Sequence, residues 1–321
     1  MRRFERTNLM KMKFFCVALF SLFVSSLSAQ KSRYVYNNPV DSSYNCFLEI
    51  LPDSKPYNGL IVRDFSRLPD LTKKSFYRFG DLALERGFVV LYVMTSNIFP
   101  ELYFSDEGPN LLDEMIAEVV EKNNIPKQNI FIGGISASGT RALRYAQYCN
   151  SGKSKNDVKI AGAFIVDSPL DMDRFYRSSQ QILKRNAKNG TLWEANLMVN
   201  LLNKEMGGSP DDFQEAYQNA SVYSYNLPNG GNAHWLLSTP LIIYHEPDVD
   251  WWLAERSSTL YDINSFDIVA FVNSLSLNGS TNITLKTTTG KGFDRAGKRK
   301  PHSWSIVDEL ELITWIENHC R

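Results

Sequence analysis

The residue best suited to covalent chemistry is Ser136, in the segment IFIGGISASGTRALRYA at residues 130–146. An apolar run passes through Gly133-Gly134 into Ile135, Ser136, Ala137, Ser138 and Gly139, and residues of helical character follow. A sharp strand-to-helix turn of this kind lifts the serine oxygen above a sheet edge, and the helix start favours developing negative charge. The positions two before and two after the serine must be small, because strand and helix nearly touch there. Gly134 meets the first requirement, and Ser138 stands at the second, where glycine is usual. A glycine-rich turn that binds phosphate is the competing reading, but neither G-x-x-x-x-G-K-[ST] nor G-x-G-x-x-G is present.

A serine hydroxyl needs a base, and the base needs an orienting carboxylate. Of His234, His245, His302 and His319, only His302 sits in a loop between the last expected strand and the final helix, in KRKPHSWSIVDELELITWI. His245 ends the PLIIYH run and reads as a sheet-edge residue, whereas His319 suits the negative end of the final helix. His234 falls in a helical region and has no assigned role. The chain order serine, acid, histidine directs attention to EPDVDWW, which offers Glu246, Asp248 and Asp250. Asp248 is preferred for its distance beyond the strand. Asp250 is an alternative acid that also suits the N-cap of a helix starting at Trp251. Asp167, which ends KIAGAFIVD, is a further alternative, contributed by the preceding strand.

The elements around these residues alternate. Short runs rich in apolar residues at 44–52, 58–65, 88–94, 129–134, 159–167, 240–246 and 282–288 read as strands. Helical spacing appears at 71–87, 110–125, 142–149, 251–275 and 303–319. Strands apolar on both faces that alternate with helices predict an α/β fold with a mostly parallel sheet covered on both sides. The alternation pauses over residues 169–239, where only helical spacing is found, so a helical cap inserted between core segments 30–168 and 240–321 is expected. Trp193, Tyr217, Tyr223, Tyr225 and Trp235 in that region either form an apolar lid or pack the cap on the core. The loop GKGFDRAGKRKPH carries Lys291, Arg295, Lys298, Arg299 and Lys300, a solvated run or an attraction for an anionic substrate.

Residues 1–29 combine Arg2, Arg3, Lys11 and Lys13 with the run FFCVALFSLFVSSL and end in small residues at Ser28-Ala29, the pattern of a cleavable signal peptide. The run is shorter than the roughly 20 residues a membrane span needs, so export to the periplasm or exterior is expected, without a stable span after cleavage. The remaining chain has 30 Lys and Arg against 34 Asp and Glu, a mildly acidic balance with no general attraction to nucleic acid. Cys46, Cys149 and Cys320 leave room for one disulfide but lack metal-ligand spacing.

With GGISASG, the EPD loop after PLIIYH, and PHSW before the last helix, residues 47–319 resemble the α/β-hydrolase superfamily, more narrowly exported bacterial serine hydrolases of the esterase type. The resemblance implies a Ser-Asp-His triad acting on a small ester or acylated substrate through an acyl-enzyme, with no metal or organic cofactor. It also implies two oxyanion-binding N–H groups, one from Ala137 and one from the loop after an early strand, here Asp64 or Phe65. That strand ends in VRDFSRLPD, with Asp64 and Ser66 where similar proteins carry glycine. Either the Asp64 carboxylate is turned away and the backbone still donates, or the oxyanion is repelled. The second outcome would suit a non-catalytic binding or scaffold protein of the same fold, and a peptidase of that fold is a third reading.

Overall fold

The computed structural model of the protein describes residues 31–321 apart from 39, 54, 65–67, 72–77 and 186. The signal peptide expected at residues 1–29 therefore lies outside the described residues. In chain order the elements are β1 (Lys31–Tyr36), β2 (Cys46–Leu51), β3 (Gly59–Asp64), α1 (Arg78–Glu85), β4 (Phe88–Met94), α2 (Glu107–Asn123), β5 (Ile130–Ile135), α3 (Ala137–Asn150) and β6 (Ile160–Val166). There follow α4 (Met172–Lys184), α5 (Asn189–Met206), α6 (Gln214–Ala220), β7 (Leu241–His245), α7 (Val249–Trp251), α8 (Ser265–Leu277), β8 (Ile283–Thr287) and α9 (Glu309–Asn318).

The strands form one sheet in the order β1-β2-β4-β3-β5-β6-β7-β8. From β4 to β8 all neighbours are parallel, and β1 and β2 add antiparallel pairings at one edge. The period of two explains the cover on both faces. Leu60, Val62, Ile130 and Ile132 pack on one face with Leu112, Ile116 and Leu143 from α2 and α3. Ile61 and Phe131 point the other way, against Phe79 of α1 and Leu312, Ile313 and Ile316 of α9. Each fully buried Leu, Ile or Phe stabilises this arrangement by about 1.5–3 kcal/mol, so strands apolar on both faces are held from both sides.

Two parts differ from the sequence expectations. Strand β1 was not anticipated: KSRYVY is largely exposed, and its Lys31 and Arg33 are residues that suit a sheet edge. The single helix expected at 251–275 is broken. It begins at Val249 as the short α7, passes through one π turn at Trp252–Arg256, and stops at Ser257, which adopts a left-handed φ of 54°. The Asp262 carboxylate then accepts from the amide and hydroxyl of Thr259, which stabilises a turn instead of a helix, and α8 starts only at Ser265. The break carries Trp252 and Arg256 into a cavity over the sheet. Cys46, Cys149 and Cys320 are all free thiols, so no disulfide joins them. Among the described residues no helix is long and apolar enough to cross a membrane.

Candidate active site

Strand β5 delivers Ser136 to a tight turn before α3. Its φ of 56° and ψ of −130° lie in a region that costs a non-glycine residue about 1–3 kcal/mol. The surroundings hold it there: the Ser136 amide donates to the carbonyl of Val166 at 2.8 Å, and its carbonyl accepts from Gly139 and Thr140 at 2.9 and 3.1 Å. A Cβ on Gly134 would lie 2.6 Å from that of Ser138, and one on Gly139 would lie 2.0 Å from Ser168 Oγ. Both glycines are therefore required by close approach. Ser138 is tolerated because Gly134 faces it, and its hydroxyl accepts from Arg141 Nη2 at 3.1 Å. As the first residue of α3, Ala137 leaves its N–H without an acceptor inside the helix.

His302 does not meet Asp248. Its Nδ1 lies 2.5 Å from Oδ2 of Asp167, the residue after β6. With that nitrogen protonated and donating, Nε2 is left as the acceptor. Burial acts to raise the Asp167 carboxyl, but His302 and His245 override it and hold the group well below the usual carboxylate range. For His302 burial acts downward, the Asp167 charge and hydrogen bond act upward, and the outcome is a raised imidazolium pKa.

The Asp248 carboxylate, expected to orient His302, is engaged elsewhere. It accepts from the Trp251 amide at 3.1 Å, capping α7, and from Arg299 Nη2 at 2.6 Å. Asp250 is exposed in the first turn of α7 and is not the cap, because the helix starts two residues earlier than expected. Arg299 also pairs with the buried Glu246, which accepts from the amides of Lys291 and Gly292. The carboxylates of EPD thus anchor the loop that carries His302. In that loop Lys300 donates its amide to the carbonyl of Gly292 at 2.9 Å and Ser303 Oγ donates to the carbonyl of Phe293 at 2.7 Å.

Asp64 is buried with its carboxylate turned to Arg141, which donates from Nε at 2.7 Å and from Nη2 at 2.8 Å. The Tyr103 hydroxyl donates to the same carboxylate at 2.9 Å. Its negative charge is therefore matched by a guanidinium that α3 supplies, and the repulsion considered from the sequence has no free carboxylate behind it. Phe65, with residues 66 and 67, lies outside the described residues. Nothing local in the sequence couples Asp64 to Arg141, which is why this pair was missed. Removing only one partner of a buried ion pair leaves an uncompensated charge and typically costs about 3–5 kcal/mol. Arg141→Met is expected to lower the free energy of unfolding in urea by about that much, and the double variant Asp64→Leu/Arg141→Met to recover part of it. A loss below about 1 kcal/mol in the single variant would contradict the importance assigned to the pair.

Ser136 and His302 line one cavity of ≈ 870 Å³. Its apolar wall includes Leu102, Phe175, Ile182, Leu197 and Met198, with Trp193, Trp251 and Trp252. The Trp252 ring meets His302 edge-on at 6.4 Å. Of the aromatics singled out in the helical region, Tyr217 and Tyr223 are buried, Tyr223 against Phe271, whereas Tyr225, Trp193 and Trp235 are exposed. Three acids at the cavity are matched: Asp64 by Arg141, Glu194 by Arg256 and Asp262 by Arg185. Arg295 and Lys300 of the basic loop reach the rim, while Arg299 is engaged with Glu246 and Asp248. His234 is exposed and contacts the carbonyl of Gly231, and His319 contacts that of Trp315 at the end of α9. Among the described residues no group of three or more His, Cys, Asp or Glu side chains is placed to hold a metal ion.

No family model matches the chain, and no curated protein matches it in sequence. Among solved structures it is similar to an inhibited esterase B from Lactobacillus rhamnosis, at 12% identity and a TM-score of 0.56, over 90% of this chain and 87% of that one. It is also similar to carboxyl esterase 2 of the mycorrhizal fungus Tuber melanosporum, at 13% identity and a TM-score of 0.55, over 93% and 90% of the two chains. A third likeness, to the acylaminoacyl peptidase of Pyrococcus horikoshii, has 13% identity and a TM-score of 0.53 and spans 91% of this chain but 40% of that one. With the strand order above, these likenesses show that the chain has the α/β-hydrolase fold.

Proposed function

We propose that the protein is a serine hydrolase that cleaves a carboxylic ester through an acyl-enzyme, with Ser136 as nucleophile, His302 as base and Asp167 as the orienting acid. The observation that carries this reading is the Asp167–His302 hydrogen bond, which leaves Nε2 of His302 as the acceptor in the cavity that Ser136 also lines. Ser136 Oγ attacks the ester carbonyl as His302 Nε2 takes its proton. The oxyanion is received by the Ala137 N–H and by a backbone N–H of Asp64 or Phe65. Collapse expels the alcohol, which takes the proton from His302, and a water repeats the sequence to release the acid and free Ser136. The apolar wall favours a substrate with an apolar acyl or alcohol group. The Asp64 carboxylate, turned to Arg141, supports this reading over a non-catalytic protein on the same fold. The leader pattern of residues 1–29 supports export, and residues 169–239 are proposed as the cap over the site.

A fluorophosphonate probe tests the reading. Incubation of the purified protein is expected to modify Ser136, located by peptide mass spectrometry, and to abolish hydrolysis of short-chain p-nitrophenyl esters. His302 must be neutral to accept the proton, so the rate of labelling is expected to fall as pH drops through the raised pKa of His302. The acidic limb should therefore lie above the ordinary histidine value of about 6.5. No labelling at Ser136 under conditions where a control esterase reacts would end the proposal.

A further inference from the structure

His245 was read from the sequence as a sheet-edge residue, yet it is buried and contacts Asp167. The register of β6 and β7 pairs Val166 with Tyr244, so the next residues of the two strands, Asp167 and His245, emerge side by side. His245 Nδ1 lies 2.9 Å from Asp167 Oδ1, and its Nε2 lies 2.6 Å from Ser265 Oγ at the start of α8. A nitrogen facing a carboxylate must carry the proton, so in the neutral ring Nε2 accepts from the Ser265 hydroxyl. The two oxygens of Asp167 are thereby divided: Oδ1 to His245 and Oδ2 to His302.

We infer that His245 is a positioning residue that acts through Asp167, fixing the plane of its carboxylate so that Oδ2 stays on His302. The inference rests on the roles proposed for Ser136, His302 and Asp167. A carboxylate held by one imidazole is free to turn about its last side-chain bond; held by two on opposite oxygens, it is not. Ser265 extends the restraint, since its hydroxyl fixes the ring that fixes the acid. Asn264, its neighbour, donates its side-chain amide to the Asp167 carbonyl at 2.8 Å and holds the backbone of the same residue. The end of β7, where the chain order suggested an acid, thus supplies a second imidazole for the acid carried by β6.

Three variants at one position separate the hydrogen bond from the packing. His245→Asn places an amide N–H near the position of Nδ1, His245→Gln places one near Nε2, and His245→Phe retains ring volume without a donor. Misplacement of a group in a reactive constellation costs up to about 100-fold in rate. The expected result is a kcat loss of about 10–100-fold for His245→Gln and His245→Phe, with KM within about two-fold of the parent. His245→Asn should retain kcat within about three-fold of the parent. If His245→Phe fails to fold, as judged by thermal unfolding, the Asn and Gln variants carry the comparison. Equal losses for Asn and Gln, or an effect confined to KM, would overturn the inference. So would full activity in all folded variants. If the parent is not labelled by the fluorophosphonate at Ser136, the underlying assignment fails and this one with it. A labelled, active parent with indifferent variants removes only the role of His245.

Discussion

Ser136→Ala is expected to reduce kcat on a short-chain ester by about 10⁴–10⁶-fold while leaving the unfolding midpoint near that of the parent. The size follows from the loss of the atom proposed to form the acyl bond. Uncatalysed attack by water within the cavity would then be all that remains, assisted by the oxyanion donors. The fold should tolerate the change, because alanine meets about the same steric penalty as serine at a φ of 56° and the hydroxyl makes no cap hydrogen bond to α3. KM should change little, since the apolar wall of Leu102, Phe175 and Met198 is untouched. Steady-state kinetics with active-site titration checks this, because a contaminating hydrolase would appear as activity without titratable sites. A variant that kept a tenth of the parental kcat would exclude Ser136 as the nucleophile.

The second large effect separates two aspartates. Asp167→Asn is expected to lower kcat by about 10³–10⁴-fold, and Asp248→Asn by less than about five-fold. Asparagine at 167 retains one acceptor oxygen where two imidazole N–H groups now donate, so at least one histidine must turn or change tautomer. The negative charge that stabilises the imidazolium during the reaction is also gone. At 248 the carboxylate caps α7 and receives Arg299, contacts whose weakening costs stability on the order of 1 kcal/mol but leaves Asp167 on His302. Measuring kcat for both variants across pH decides the matter. A greater loss at 248 than at 167 would return the acid to the loop after β7.

Much of this arrangement was legible from residue patterns, and the exceptions share a cause. Runs such as FVVLYVM and NIFIGG revealed buried strands because burial on both faces leaves little room for polar residues. The turn at Ser136 was legible because glycines and the strand-to-helix transition are local. His302 stood out by its place between the last strand and the last helix. The carboxylate that meets His302 could not be identified in the same way. Asp167 and Asp248 both follow apolar strands, and what separates them is which carboxylate a distant loop reaches. Arg299 decides this by drawing Asp248 and Glu246 into the anchor of the His302 loop, a contact spanning about fifty residues. The Asp64–Arg141 pair was hidden for the same reason, with its partners 77 positions apart. One local signal was available: KIAGAFIVD ends an otherwise apolar strand in a carboxylate, and PLIIYH ends the adjacent strand in the histidine that holds it.

The restraints on Asp167 have a temporal consequence. The groups that hold it come from His245, Asn264 and His302, all carboxy-terminal to it, with Ser265 bracing one of them. A growing chain presents Ser136 to its surroundings about 165 residues before the base that would activate it. On the proposed roles, a chain that has not yet reached His302 lacks the base for Ser136.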